Sequence, residues 1–221
     1  RDQPRSRGLG DVYKRQPLMK FIKSISELEK IYGSPSVASL RKVSDHITPT
    51  YRKWIQASSL CTLATVGPNG VDASPRGDNS NVVRELNEKN LLIPDWRGNN
   101  RIDSLRNIVC DPRASLMLIV GGANIVIRIN GTAKITLDKK LIDTFEKNKN
   151  KPRSIILFEI QEIYFQCAKA FSRSQIWKND SWPELENLPT AGQILEEMTD
   201  AEVDGSKYDH SWPKSSEETL W

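Results

Sequence analysis

Three polar, arginine-bearing segments hold the residues best suited to chemistry, and each closes a strand-like run. The first is Ile93–Pro112, IPDWRGNNRIDSLRNIVCDP. An apolar run ends at Pro94, a polar loop follows through Asp95, Arg97 and Gly98, and Asn99-Asn100-Arg101 stands at the start of an amphipathic helix. A helix N-terminus presents unpaired backbone N–H groups and the positive end of the helix dipole, so it attracts anions. An arginine there adds a planar fork that can hold two phosphate oxygens. The same residues have a structural reading. Asn100 and Asp103 are spaced as an N-cap and an acidic N3 residue, which would simply close the helix. Asp103 would oppose a phosphate if it faced the same way.

The second segment is DASPRGD, Asp72–Asp78. Ser74 supplies a hydroxyl, Arg76 a guanidinium, and Gly77 a free backbone. Alone it reads more readily as a polar turn. Its weight comes from closing a strand beside the first segment, so that two arginine-bearing strand ends could converge on one anion. The third is YFQCAKAFSRSQIW, Tyr164–Trp177. Gln166, Lys169 and Arg173 could meet a ligand or a partner subunit, with Lys169 and Arg173 on one helix face. A solvated helix start explains them as well.

Other chemistries lack their parts. The two histidines, His46 and His210, have no neighbours suited to a metal site or a Ser-His-Asp triad. No HExxH, P-loop or GxGxxG occurs. The three cysteines, Cys61, Cys110 and Cys167, form no CxxC pair, so no metal site is expected. An enzyme built this way would need a cofactor that brings its own reactivity.

The elements that must position these segments follow from periodicity. Residues 24–57 read as helical, with Ser24 and Glu27 at capping-box spacing, and Ser34-Pro35 and Thr48-Pro49 as N-cap and first-turn proline pairs. From Ser58 the pattern becomes strand-like. SLCTLATV, the Gly67-Pro68-Asn69-Gly70 turn and the return from Val71 to Ser74 predict a hairpin. Strands follow at 82–86 and 91–94. Ile102, Leu105, Ile108 and Val109 share one helical face before Asp111-Pro112 stops the helix. RASLMLIV alternates, and a turn at 121–124 leads to NIVIRINGTAKITL, in which Gly131 marks a bulge or sharp bend. Asp138 is placed to cap a short helix, and SIILFEIQEIYFQC reads as a long strand. Helices followed by six or more antiparallel strands argue for a small closed barrel with added helices.

Composition sets the outer bounds. The chain has 221 residues, 38% hydrophobic and 27% charged, as expected of a globular protein. No run approaches the roughly 18 apolar residues of a membrane span, and no secretory signal is visible, so a cytoplasmic location is expected. Residues 1–18 show no period and precede Met19; they are read as a non-native leader. They hold five basic and two acidic residues, three of the net +4 charges, leaving +1 for the remainder. Nucleic-acid binding is therefore not expected. The expected divisions are a leader (1–18), a helical N-terminal extension (19–57), a barrel (58–173) and a C-terminal tail (174–221).

The segments LATVGPNGVDASPRGD, LLIPDWRGNNRIDSLRNIVCDPRASLMLIV, IRINGTAKI and FQCAKAFSRSQIW, in this order, resemble the pyridoxamine 5′-phosphate oxidase-related flavoproteins. The resemblance runs from about Ser58 to Trp177 and is closest to a subgroup sharing the RGNNRxDSLRNI and QCAKA signatures. It implies an FMN-binding split β-barrel that works as a homodimer, with FMN at the subunit interface and a small-molecule substrate. Arg76 occupies the place of the arginine that reaches the FMN phosphate. Asn100-Arg101-Ile102 stands for a serine–arginine–lysine type cluster, so isoleucine replaces the lysine, and Arg76 or Arg97 is expected to make up its charge. Ser74 to Gly77 and Ile93 to Asp95 would flank the flavin ring. Asn99, Arg128, Gln166 and Lys169 complete the expected cofactor set. The acidic tail, ending SSEETLW, does not match the arginine- and tryptophan-bearing C-terminal segment of the true pyridoxamine-phosphate oxidases, so vitamin B6 phosphate is not the expected substrate. The resemblance points to an FMN-dependent oxidoreductase. The alternative is a non-catalytic flavin, haem or deazaflavin binder on the same barrel.

Overall fold

The Gly67–Gly70 turn predicted from sequence joins two strands, β1 (Leu60–Gly67) and β2 (Gly70–Gly77), in register from Leu60↔Gly77 to Gly67↔Gly70. Gly70 has φ +120°, a conformation that side chains rarely adopt, which explains glycine there. The computed structural model describes residues 19–221. The expected leader, 1–18, lies outside the described residues.

The chain divides into two compact units between Arg41 and Lys42. The described part of the first holds α1 (Ile25–Tyr32) and α2 (Val37–Arg41). Ser24 caps α1 by accepting the Glu27 N–H at 3.2 Å. The box does not close on Ser24, because the Glu27 carboxylate accepts instead from the Lys23 N–H, at 3.1 Å. Ser34-Pro35 does not open a helix. Ser36 takes the capping role two residues later, accepting the Ser39 N–H at 3.2 Å.

The second unit begins with α3 (Pro49–Ala57), capped by Thr48 with Pro49 in the first turn as expected. Sequence periodicity groups α3 with the N-terminal extension, yet Ile47 and Ile55 are buried in the barrel core. Then come β1, β2, β3 (Arg84–Asn87), β4 (Asn90–Asp95), α4 (Asp103–Cys110), β5 (Arg113–Ile119), β6 (Val126–Thr136), α5 (Lys139–Asp143), β7 (Ser154–Gln166), α6 (Lys169–Ser174), α7 (Ala191–Met198) and α8 (Gly205–Glu218). Asp138 caps α5 by accepting the Lys140 and Leu141 N–H groups.

The seven strands form one antiparallel sheet in the order β2-β1-β5-β6-β7-β4-β3. Alternation sends Cys61, Leu63 and Thr65 of β1 and Ala114, Leu116 and Leu118 of β5 into the core. There they meet Ile127 and Ile129 of β6 and Phe158 of β7. Val82 and Val83 are buried as well but lie just ahead of β3, not in a strand.

Two features curl this sheet. The β6–β7 register shifts at Asn130/Gly131, where a Cβ on Gly131 would stand 1.9 Å from the Glu159 carbonyl oxygen. The shift is the expected bend, and it exists only because that Cβ is absent. In addition, Arg76 at the end of β2 reaches Asp95 at the end of β4, with Nη1 to Oδ1 at 2.5 Å. These strands lie near opposite ends of the sheet order, so the sheet folds round until its ends meet through side chains and not through a backbone ladder. The protein is a split β-barrel, mainly β with added helices. Among the described residues, no helix is long and apolar enough to cross a membrane, and no cluster of His, Cys, Asp or Glu is arranged to hold a metal.

Candidate functional site

The place where the sheet ends meet is also a cleft of about 830 Å³, within the usual range for small-molecule sites. Strand alternation supplies its first wall. Asp72, Ser74 and Arg76 of β2 turn inward, while Ala73, Pro75 and Gly77 are exposed. The expected return strand, Val71–Ser74, therefore runs on through Pro75 and Arg76 to Gly77. β2 ends the sheet order, so Pro75 leaves no ladder bond broken on its free side.

α4 supplies the second wall. Its docking on the hairpin is specific: Asn107 Nδ2 donates to Thr65 Oγ1 at 3.2 Å, and a Cβ on Gly67 would stand 2.1 Å from Asn107 Oδ1. Ser104, buried at 4% exposure, donates to Asp72 Oδ2 at 2.5 Å and lies 2.9 Å from Ser74 Oγ. Since the Ser104 proton is committed to the carboxylate, Ser74 must donate to Ser104. Toward a ligand, Ser74 is then left as an acceptor and Asp72 as an anion.

The loop between β4 and α4 departs from the expected cap. Asn100 and Ile102 both have left-handed backbones, φ 63° and 50°. Asparagine tolerates this; a β-branched isoleucine does not, and strain of this kind collects at binding sites. Ile102, not Asn100, occupies the cap position, and it offers no side-chain hydrogen bond to the first turn. Asn99 Oδ1 accepts the Arg101 N–H at 3.0 Å and shapes the loop from within. Asn100 Oδ1 accepts from Arg153 Nη1 at 2.6 Å. Asp103 does face the cleft, and its Oδ2 holds Arg101 Nε at 2.5 Å. That hydrogen bond, with the adjacent negative charge, raises the Arg101 pKa above its ordinary value.

Among the described residues, two buried polar atoms have no partner, Arg76 Nε and Trp96 Nε1, and both side chains line the cleft. Native proteins rarely leave such donors unsatisfied unless a ligand or water completes them. Trp212 of α8 and Leu137 add apolar surface. The cleft thus joins a polar, arginine-rich face to an aromatic one, a set that suits a phosphorylated planar ring.

Of the expected residues, the structure brings Ser74, Arg76, Asp95, Asn99, Asn100 and Arg101 to this cleft. Gly77 and Arg97 flank it without lining it, and Arg97 is exposed. Arg128, Gln166 and Lys169 lie elsewhere in the chain. Arg128 pairs in register with Tyr164, its guanidinium 5.4 Å from that ring, and Gln166 ends β7 opposite Val126. The cleft lies at the other end of β7, by Arg153 and Ser154. Periodicity missed Asp72, Ser104, Trp96, Arg153 and Trp212. Asp72 was within reach, because it shares a strand face with Ser74.

The fold is that of a split-barrel protein with a cleft where the sheet ends meet. The family described as pyridoxamine 5′-phosphate oxidase matches residues 47–167, more than half of the chain, and the chain belongs to it. No curated protein matches significantly. Among solved structures, the tagged HupZ protein of Group A Streptococcus is 20% identical with a TM-score of 0.42, covering 53% of this chain and 91% of its own. General stress protein 26 of Bacillus anthracis is 17% identical, TM-score 0.40, covering 52% and 88%. A protein of Syntrophomonas wolfei described as FMN-binding is 14% identical, TM-score 0.40, covering 65% and 97%.

Proposed function

We propose that the cleft binds FMN and that the protein is an FMN-dependent oxidoreductase acting on a small molecule. The observation that carries this reading is the pair of orphaned buried donors, Arg76 Nε and Trp96 Nε1, in a cleft that is arginine-rich on one side and aromatic on the other. Family membership supports it. FMN would supply hydride transfer. The chain's own residues would do the rest. Arg76 and Arg101 would bind the phosphate, Ser74 and Asp72 would accept hydrogen bonds from ribityl hydroxyls, and Trp96 and Trp212 would exclude water from the ring. Arg76 and Arg101 each hold a carboxylate, so anion binding exchanges one partner for another.

Arg128, Gln166 and Lys169 cannot complete this cleft from within one chain. A homodimer in which a second copy presents them beside it would reconcile their place in the expected cofactor set with their position on β6, β7 and α6. A cytoplasmic location accords with three free cysteines.

The test is an absorbance titration of the protein from Met19 onward with FMN. Uptake approaching one flavin per chain, with bands shifted from free FMN, is expected, followed by bleaching with NADPH or NADH and reoxidation by an acceptor. A folded protein that takes up no FMN would sink the reading. Uptake without reduction by either nucleotide would favour the second reading, a flavin carrier without catalysis.

A further inference from the structure

We infer that Arg153 is an anion-binding residue of the cleft and supplies the positive charge that Ile102 does not. The inference rests on the flavin reading for the identity of the ligand, but not for the presence of an anion site. Three arginines line the cleft: Arg76, Arg101 and Arg153. Two of them are tied to carboxylates, Arg76 to Asp95 and Arg101 to Asp103. Among the described residues Arg153 makes no ion pair, and its hydrogen bond goes to a neutral amide, Asn100 Oδ1, at 2.6 Å. It is the one guanidinium in the cleft whose charge no adjacent carboxylate neutralises.

Its position is fixed from behind. The Arg153 N–H donates to the Asp95 carbonyl at 3.0 Å, which places its backbone beside the Arg76–Asp95 pair. Ser154 and Ile155, next in sequence, are buried at the start of β7. The residue therefore projects from a rigid strand end, and its planar fork retains donors beyond the one given to Asn100. Asn100 itself sits in a left-handed backbone, φ 63°, that carries its amide to this contact. An oxyanion between Arg153, Arg76 and the uncapped first turn of α4 would be held by charge from β2 and β7 and by free N–H groups from the helix. Of the two residues expected from sequence to make up this charge, Arg76 and Arg97, only Arg76 lines the cleft.

The test uses the full chain with three probes: FMN, riboflavin, and inorganic phosphate balanced against chloride of equal ionic strength. Arg153→Gln keeps a donor for Asn100 and removes the charge; Arg153→Ala removes both; Arg97→Ala is the control. The expected result is FMN binding weakened roughly 10- to 100-fold in both Arg153 variants, with riboflavin affinity unchanged. Phosphate should raise the thermal midpoint of the parent and of Arg97→Ala but not of either Arg153 variant. Equal weakening of FMN and riboflavin, or Arg153→Gln binding FMN like the parent, would overturn the inference. If the parent binds neither flavin, the flavin reading fails and the phosphate arm still decides: a rise lost in the Arg153 variants supports the site, and no rise in the parent refutes it.

Discussion

At the scale of single residues, the cleft is governed by which carboxylate each arginine holds. Asp103 is the informative case. It stands in the first turn of α4, where a negative charge stabilises the helix, and it also occupies Arg101. Asp103→Asn should therefore have opposite effects on two observables. Without ligand the variant should lose about 0.3–1 kcal/mol of stability from the helix end. With FMN its affinity should rise several-fold, because a repelling charge is gone and Arg101 is released; Arg101→Ala should lose about 1–3 kcal/mol of binding. Fluorescence titration beside thermal unfolding reads both quantities, and a weaker FMN affinity in Asp103→Asn would refute the assignment. That Ser74, Arg76 and Arg101 face one cleft was legible in the sequence, since each stands at a strand or helix end. Arg153 was not, because its contact with Asn100 spans 53 positions and only the closing of the sheet creates it. Nor was the cap: Asn100 and Asp103 had the right spacing, and the loop instead put Ile102 at the helix entry.

At the scale of elements, alternation and turn chemistry carried most of the fold. The buried positions of β5, Ala114, Leu116 and Leu118, are the ones its two-residue period selects, and the hairpin turn at Gly67–Gly70 formed as read. What the period could not give was how far a strand runs or where a helix packs. β2 continues through Pro75 to Gly77 because a strand at the end of the sheet tolerates a missing donor. α3 joins the barrel because Ile47 and Ile55 are buried in its core, a fact invisible to local pattern. Gly131 was legible as a bend, and the structure adds the reason, the close approach of the Glu159 carbonyl. That contact is with backbone, so it cannot relax by a rotamer change. Gly131→Ala should cost about 3 kcal/mol, the upper end for overpacking, and lower the thermal midpoint by roughly 6–12 °C. A shift under 1 °C would mean the β6–β7 bulge is free to open.

At the scale of the whole molecule, the outward face of β1 and β5 carries a row of only partly buried side chains. On the side of β1 and β5 away from the core, Leu60 stands beside Ile119, Thr62 beside Met117 and Ala64 beside Ser115. Leu60 is exposed and the others are half-buried, and Leu60, Ile119, Met117 and Ala64 make the row a mainly apolar stripe. Continuous apolar surface of this kind is usually an interface. β6 continues the same face with Arg128, in register with Met117, and β7 adds Tyr164, in register with Arg128. A second copy seated on this stripe would bring expected cofactor residues that one chain cannot deliver to its own cleft. The prediction is a homodimer whose assembly and FMN affinity are coupled. Sedimentation of the FMN-loaded protein should give twice the 25.1 kDa chain mass. Met117→Lys, which places a charge in the stripe and far in sequence from every cleft residue of β2, should shift the protein to monomer and weaken FMN binding in the same variant. A monomer that holds FMN as tightly as the parent would separate the two properties, and would mean that the cleft described within one chain is the complete site.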